Sequence, residues 1–390
     1  MTARVRRLIK ASGLLIAALL MVAILSLTSV TYASGGGWSV LASPNASPNS
    51  NVLQSVAAVS TNMVWAVGYD LKGTTKSTLV KQTLIERFNG ASWSITASPN
   101  SGKGDNVLSG VAAITAKDAW AVGYSTNGAL VLHYNGRNWR VFSVPLACQL
   151  NAVTAVSATN VWAVGTKAGQ ACAEHFDGAD WDLVQMPMSG TADNTLLSVT
   201  AISAADMWAV GSYCLGNGCD RGGGIFQTMI LHFDGSRWSI ASSPNPGSLA
   251  NHLNAVVAIS ATDVWAVGSD SNDLRTGAPM ILRFDGYSWF QVVGPNVKGN
   301  SSLSGITGVS PTDITAVGST STSATSGYQT LITHFDGNAW SVVASPSPGI
   351  HNALNGIAHV AGAALGNAQY WAVGTYDNNI PLETLTERDI

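Results

Sequence analysis

Four cysteines, seven histidines and a few acidic clusters are the side chains of this 390-residue sequence that are equipped for chemistry. Cys148, Cys172, Cys214 and Cys219 are an even set, and Cys214 and Cys219 share one loop. In an oxidising compartment the set reads as two disulfides, Cys148 with Cys172 and Cys214 with Cys219. A four-thiolate zinc site is the alternative use of the same residues. Asp270, Asn272 and Asp273, followed by Arg275, have part of a calcium-loop spacing but lack the carboxylate that completes one, so a solvated loop is expected. Asp70 with Lys72, and Asp220 with Arg221, read as exposed polar groups in long loops, suited to meeting a ligand.

His133, His175, His232 and His334 share one position of a repeat, where other copies carry Arg87, Arg283 and Arg388. Metal clusters have no reason to recur with a repeat, so this position is expected to be structural. His252 and His351 fall in connections and His359 in an altered strand. None joins a triad, and no nucleophile elbow, zinc-protease helix motif or phosphate loop occurs. The sequence therefore predicts no catalytic residue, no metal site and no cofactor.

The elements that position these residues are repeated. Trp-Ala-Val-Gly begins at Trp65, Trp120, Trp162, Trp208, Trp265 and Trp371, and a seventh copy begins at Thr315. About twelve residues before each copy a Leu-x-x-Val/Ile opens, from Leu53 to Leu354. After six of the copies come an aromatic, Asp/Asn-Gly and a second tryptophan: Trp93, Trp139, Trp181, Trp238, Trp289 and Trp340. Each unit reads as four short strands whose last two are joined by an Asp-Gly or Asn-Gly hairpin. Four strands repeating near every 50 residues predict an all-β, seven-bladed propeller of four-stranded antiparallel blades. The missing seventh fourth strand stands at the start, where Trp38 to Asn45 matches Trp93 to Asn100, so the N-terminal strand is expected to close the ring. All 13 tryptophans occupy the two repeat positions and are predicted to be core. Burying each removes about 150–250 Å² from water, roughly 4–6 kcal/mol gross.

Composition bounds the function. Charged residues are 11% and hydrophobic ones 46%, the reverse of a disordered chain. Residues 1–33 carry four basic and no acidic side chains, leaving 15 basic against 22 acidic in the remainder. No basic patch offers itself to a phosphate backbone, so nucleic acid is not an expected partner. The basic start, the apolar run from Leu14 to Leu27 and the ending Thr31-Tyr32-Ala33 have the order of a secretory signal. An uncleaved anchor through residues 11–33 is the alternative, and would be the chain's only contact with a membrane. The expected organisation is a leader over 1–33 and a propeller over 34–390, secreted or held at the cell surface, and monomeric.

The repeat resembles kelch-type propellers, although it carries one glycine (Gly68, Gly268) where kelch repeats carry a pair. It is equally similar to tectonin-type repeats, with their Val-Trp-x-Val strand followed by an aromatic and a tryptophan. The Asp-Gly-x-x-Trp turn is similar to the Asp-box of sialidase propellers but one residue shorter. Tectonin-type propellers are often lectins, so that resemblance implies recognition of a glycan or surface polymer. The kelch resemblance implies a protein-interaction scaffold. An enzyme at the mouth of the ring is the third reading, an oxidoreductase or a glycan-cleaving activity. Galactose-oxidase-type propellers place copper ligands partly in an extra domain, for which this sequence has no room. In a propeller the strand-two/three loops and the blade-to-blade turns share one face. Here they vary in length, longest in units one and four, and the ligand is expected on that face.

Overall fold

The strand-two segments are apolar on both sides, so a sheet built from them must be covered on both faces. The computed structural model answers with seven four-stranded antiparallel sheets forming a β-propeller. It describes residues 37–390 except 145–147, 191, 217–223, 274–275, 322–326, 364–368, 379–380 and 390. Blade 1 comprises Asn51–Ser60, Met63–Lys72, Val80–Phe88 and Trp93–Thr96. Blades 2 to 6 repeat the order from first strands that begin at Asn106, Gln149, Ala192, Ala250 and Asn300. Blade 7 takes His351–His359, Tyr370–Asp377 and Glu383–Asp389, and its fourth strand is Trp38–Val40. Trp38 pairs with Asp389 and Val40 with Glu387, so the expected closure is present. Residues 1–33, where a leader is expected, lie outside the described residues.

Local chemistry sets each strand's ends. In the strand-three/four hairpins the Asn89 side-chain oxygen accepts from the Ala91 and Ser92 amides at 2.9 and 3.0 Å, and Gly90 takes φ +96°. Asn135, Asp177, Asp234, Asp285 and Asp336 do the same in other blades. These loops have four residues, with Phe88 paired to Trp93 across the base.

The glycine that ends Trp-Ala-Val-Gly has a steric cause. Every first strand carries a bulge after its leucine, as between Leu53 and Ser55. A Cβ on Gly68 would collide with the Val52 carbonyl oxygen, and one on Gly268 with that of His252. Only glycine admits so close a backbone approach.

Packing between blades follows the alternation of strand two. Trp65 and Val67 of blade 1 pack on Ala119 and Ala121 of blade 2. Trp65 then meets the next blade's Trp139 edge-on at 5.2 Å, and Trp371 meets Trp93 at 5.1 Å across the closure. All 13 tryptophans are buried. Thr315, the exception in strand two, is buried too, and its missing bulk comes from the neighbour. Blade 7 places Tyr370 where other blades have Val64, Ala119, Val161, Met207, Val264 and Ile314. Tyr370 lies 6.5 Å from Trp38, hydrogen-bonds with Thr315 and donates to Asp313 at 2.9 Å.

Three blades carry Glu86, Glu174 and Glu387 at one strand-three position, fully buried. Their oxygens have no hydrogen-bond partner. Burial pushes the carboxyls up, to about 8, about 7 and about 8. A carboxyl whose pKa is higher in the folded than in the unfolded chain stabilises fully below the unfolded value. It gives that stability up as the pH rises through the folded value. The melting temperature is therefore expected to fall as the pH is raised from 5 to 8 and to level off above. Blades 2, 4 and 5 place Leu132, Leu231 and Leu282 at this position. The triple variant E86L/E174L/E387L is expected to flatten the slope and to melt higher at pH 8. A wild-type slope in that variant would refute the assignment.

Candidate ligand face

The first strands line the central channel, and the two ends of the ring differ. At one end blades 1 to 6 close with the same short turns. Ser60, Ser157, Ser260 and Ser310 hydroxyls accept the amide two residues on. The hairpin aspartates hold their own backbone amides. Those amides keep the Asp177, Asp285 and Asp336 carboxyls low. The Ser236 hydroxyl, with the Arg237 and Ser236 amides, takes Asp234 down to about 2. Each of these aspartates spends Oδ1 on its own turn, and the turns repeat with little change from blade to blade.

The recurring histidines prove structural. His133, His175 and His232 stack on Trp120, Trp162 and Trp208 at 4.1–4.3 Å. Their Nε2 atoms meet Asp118, Asn160 and Asp206 at 2.8–3.0 Å. Arg283 does both tasks in blade 5, lying over Trp265 and bonding Asp263 at 2.8 Å.

The opposite end carries the variable connections. It also holds a repeated device that the sequence reading passed over. Two residues before the strand-one leucine stand Asn51, Asn106, Asn194, Asn251 and Asn352, all buried. Each accepts a connection amide, from Ala46, Ser101, Ser189, Gly247 and Gly349, at 2.7–2.8 Å. The recurrence of Asn at that spacing was a legible signal. Cys148 takes the same place in blade 3 and is disulfide-bonded to Cys172, with Cα atoms 6.4 Å apart. The covalent bond does there what the asparagine clamp does elsewhere. Cys172 lies within strand Gln170–Phe176 rather than in the loop before it. Cys214 is disulfide-bonded as well, and its expected partner Cys219 lies outside the described residues. Bonded cysteines accord with an oxidising environment. Among the described residues no helix is long and apolar enough to cross a membrane.

The residues proposed for ligand contact separate on inspection. Asp70 is not exposed: it is 2% accessible, because strand two runs on to Lys72 and turns this carboxylate inward. Lys72 lies over it at 2.6 Å and donates to the Ala46 carbonyl at 2.7 Å, so the pair anchors a connection. Asp270 sits within strand Asp263–Ser271, half-buried, and burial raises its carboxyl. Asp273 accepts from the Thr276 amide and hydroxyl at 2.6 and 2.8 Å, and Asn272 from the Ser248 amide at 2.9 Å. These side chains shape their own loop. Asp220, Arg221 and Arg275 lie outside the described residues. No hydrogen bond or ion pair joins the blade 1 pair to the blade 5 residues among the described contacts.

Among the described residues, cavities open at the centre of the ring and at its variable end. The central channel encloses about 170 Å³ and is lined by neutral groups, among them Gln54, Asn151, Asn254 and Asn355. Asn151, Asn254 and Asn355 donate to the next blade's Leu196, Leu303 and Leu53 carbonyls at 2.7–2.8 Å, so they fasten neighbouring blades. The second cavity, about 260 Å³, opens at the variable end between blades 6 and 7, where Ser319, Tyr328, His351, Thr375 and Leu382 line it.

The solved structures agree on the architecture. YCF48 bound to D1 peptide superposes with a TM-score of 0.55 at 12% identity, over 91% of this chain and 95% of that one. The ulvan lyase of polysaccharide lyase family PL25, bound to -[GlcA(1-4)Rha3S]-, gives 0.53 at 10%, over 86% and 93%. The GH74 xyloglucanase from Xanthomonas campestris gives 0.52 at 12%, over 90% of this chain and 55% of that one. No protein-family model and no curated protein matches the chain. At these identities the likeness is one of fold, and these three are not kelch or tectonin repeats.

Proposed function

We propose that this chain is an exported binding protein whose propeller recognises a glycan or cell-surface polymer on its variable end. The contrast between the two ends carries the reading. One end repeats the same short turns in blades 1 to 6. The other combines unequal connections with a cavity of about 260 Å³. A rigid scaffold with variation confined to one end is the usual setting for a binding surface. The disulfide and the signal-like residues 1–33 support export. The tectonin-like repeat supports a glycan, and two proteins of similar fold are a xyloglucanase and a polysaccharide lyase. Residues 34–390 are the unit we assign to the propeller, and Asp220, Arg221, Asp273 and Arg275 stay among its loop candidates.

A glycan-array screen of the oxidised, exported chain tests the reading. Binding that disappears when the unit-one and unit-four loops are shortened is the expected result. A folded protein that binds no glycan turns the reading toward a protein-interaction scaffold. The similar fold of YCF48, solved with a peptide, is the observation that favours that second reading.

A further inference from the structure

The cavity between blades 6 and 7 has an internal control. At the junction of blades 4 and 5 the corresponding space is filled by the chain itself. His252 there bonds the Ser212 hydroxyl through Nδ1 at 3.0 Å and packs on Phe226 at 4.8 Å. Asn251 holds the Phe226 carbonyl at 3.1 Å. Blades 6 and 7 repeat the frame: Ser319 stands for Ser212, Tyr328 for Phe226 and Asn352 for Asn251, with Asn352 donating to the Tyr328 carbonyl at 2.9 Å. Ala353 stands where blade 5 has His252. The imidazole is missing, and a cavity of about 260 Å³ remains.

What lines it is chemically consistent. The Ser319, Tyr328 and Thr375 hydroxyls have no hydrogen-bond partner among the described residues. His351 Nδ1 lies 3.0 Å from the Asp377 carboxylate, which is buried and can only accept. Nδ1 is engaged by that carboxylate, and Nε2 is the ring nitrogen left for a ligand beside the cavity. Ala353 and Leu382 supply apolar surface, and Tyr328 an exposed aromatic face. An aromatic or imidazole side chain from a protein could engage one or two of these four polar groups. A pyranose ring carries a hydroxyl on most carbons and an apolar C–H face, so it has enough partners for all four. The volume is just under the ~300 Å³ at which small-molecule sites begin, enough for one ring.

We infer that the Ser319–Tyr328–His351–Thr375 cavity binds a single neutral hexopyranose unit, free or at the end of a chain. The inference rests on the glycan reading above and narrows it to one pocket. The test is calorimetric titration of the exported, oxidised chain with the methyl glycosides of glucose, galactose and mannose. At least one is expected to bind. A353H restores the residue that blade 5 already accommodates, so it should melt within about 2 °C of wild type. It should weaken that glycoside about tenfold or more by occupying the pocket. T375V, which removes one hydroxyl at constant volume, should weaken it less. Absence of binding by all three glycosides, or wild-type affinity in A353H, overturns the proposal. If A353H keeps wild-type binding on the glycan array, the face reading stands and the pocket falls. If peptides with terminal Tyr or His bind in place of the glycosides, and A353H abolishes that, the pocket belongs to a protein ligand.

Discussion

A chain lacking residues 34–45 is expected to lose the cooperative melting of the entire ring, not of one blade. The segment supplies the only strand that pairs with Glu383–Asp389 on its outer side. It also supplies Trp38, buried beside Tyr370 and Leu385. Beyond the strand, Leu41 donates to the Thr386 carbonyl at 3.0 Å, and Asn45 accepts from Thr384 at 3.0 Å. Removing one buried tryptophan costs about 3–5 kcal/mol by itself. The deletion also bares a sheet edge in a structure where each blade is buried only by its neighbours. Calorimetry of the deletion against wild type measures the effect. An unchanged melting temperature would show that the ring does not depend on this strand. Grafting the same residues behind Ile390 should restore much of the loss, since the strand would re-enter the same position.

The second large effect lies at Thr315 and Tyr370. T315W is expected to destabilise by about 1–3 kcal/mol through overpacking, because Tyr370 already occupies the space. Y370V is expected to cost about 3 kcal/mol or more, by opening a cavity and removing the hydroxyl that donates to Asp313. The double variant T315W/Y370V rebuilds the arrangement of blades 1 to 5, a tryptophan over an aliphatic residue, with Trp38 in place to receive it. It is expected to return within about 1 kcal/mol of wild type, a coupling that independent sites do not show. Urea melts of the four proteins give the cycle, and additive effects would refute the exchange.

Much of this molecule was legible because a propeller blade is specified by short-range periodicity. Trp-Ala-Val-Gly told the two faces of strand two apart. Asp-Gly and Asn-Gly marked the hairpins, and the Trp38–Asn45 echo of Trp93–Asn100 gave the closure. The histidines could be read as structural because they recur in step with the blades. The resemblance to kelch and tectonin repeats pointed to the architecture and no further, since many sequences satisfy the same packing.

Other features depended on distances between residues far apart in sequence. Asp70 looked like a loop residue until strand two proved to run on to Lys72 and carry it inside. Nothing local in the sequence marks Glu86, Glu174 and Glu387, which packing between blades buries completely. Thr315 was an unexplained gap because its partner, Tyr370, lies on the next blade.

The sequence by itself determined the blade count, the strand order, the closing strand and the tryptophan core. Those rest on patterns within about fifty residues, where period and turn chemistry leave few alternatives. Tertiary structure alone decided which polar groups are spent on the fold and which are left over. Saturation of a hydrogen-bonding group is a property of its surroundings and not of its type. Ser212 and Ser319 occupy the same repeat position, yet one is held by His252 and the other faces an open cavity because Ala353 stands across from it.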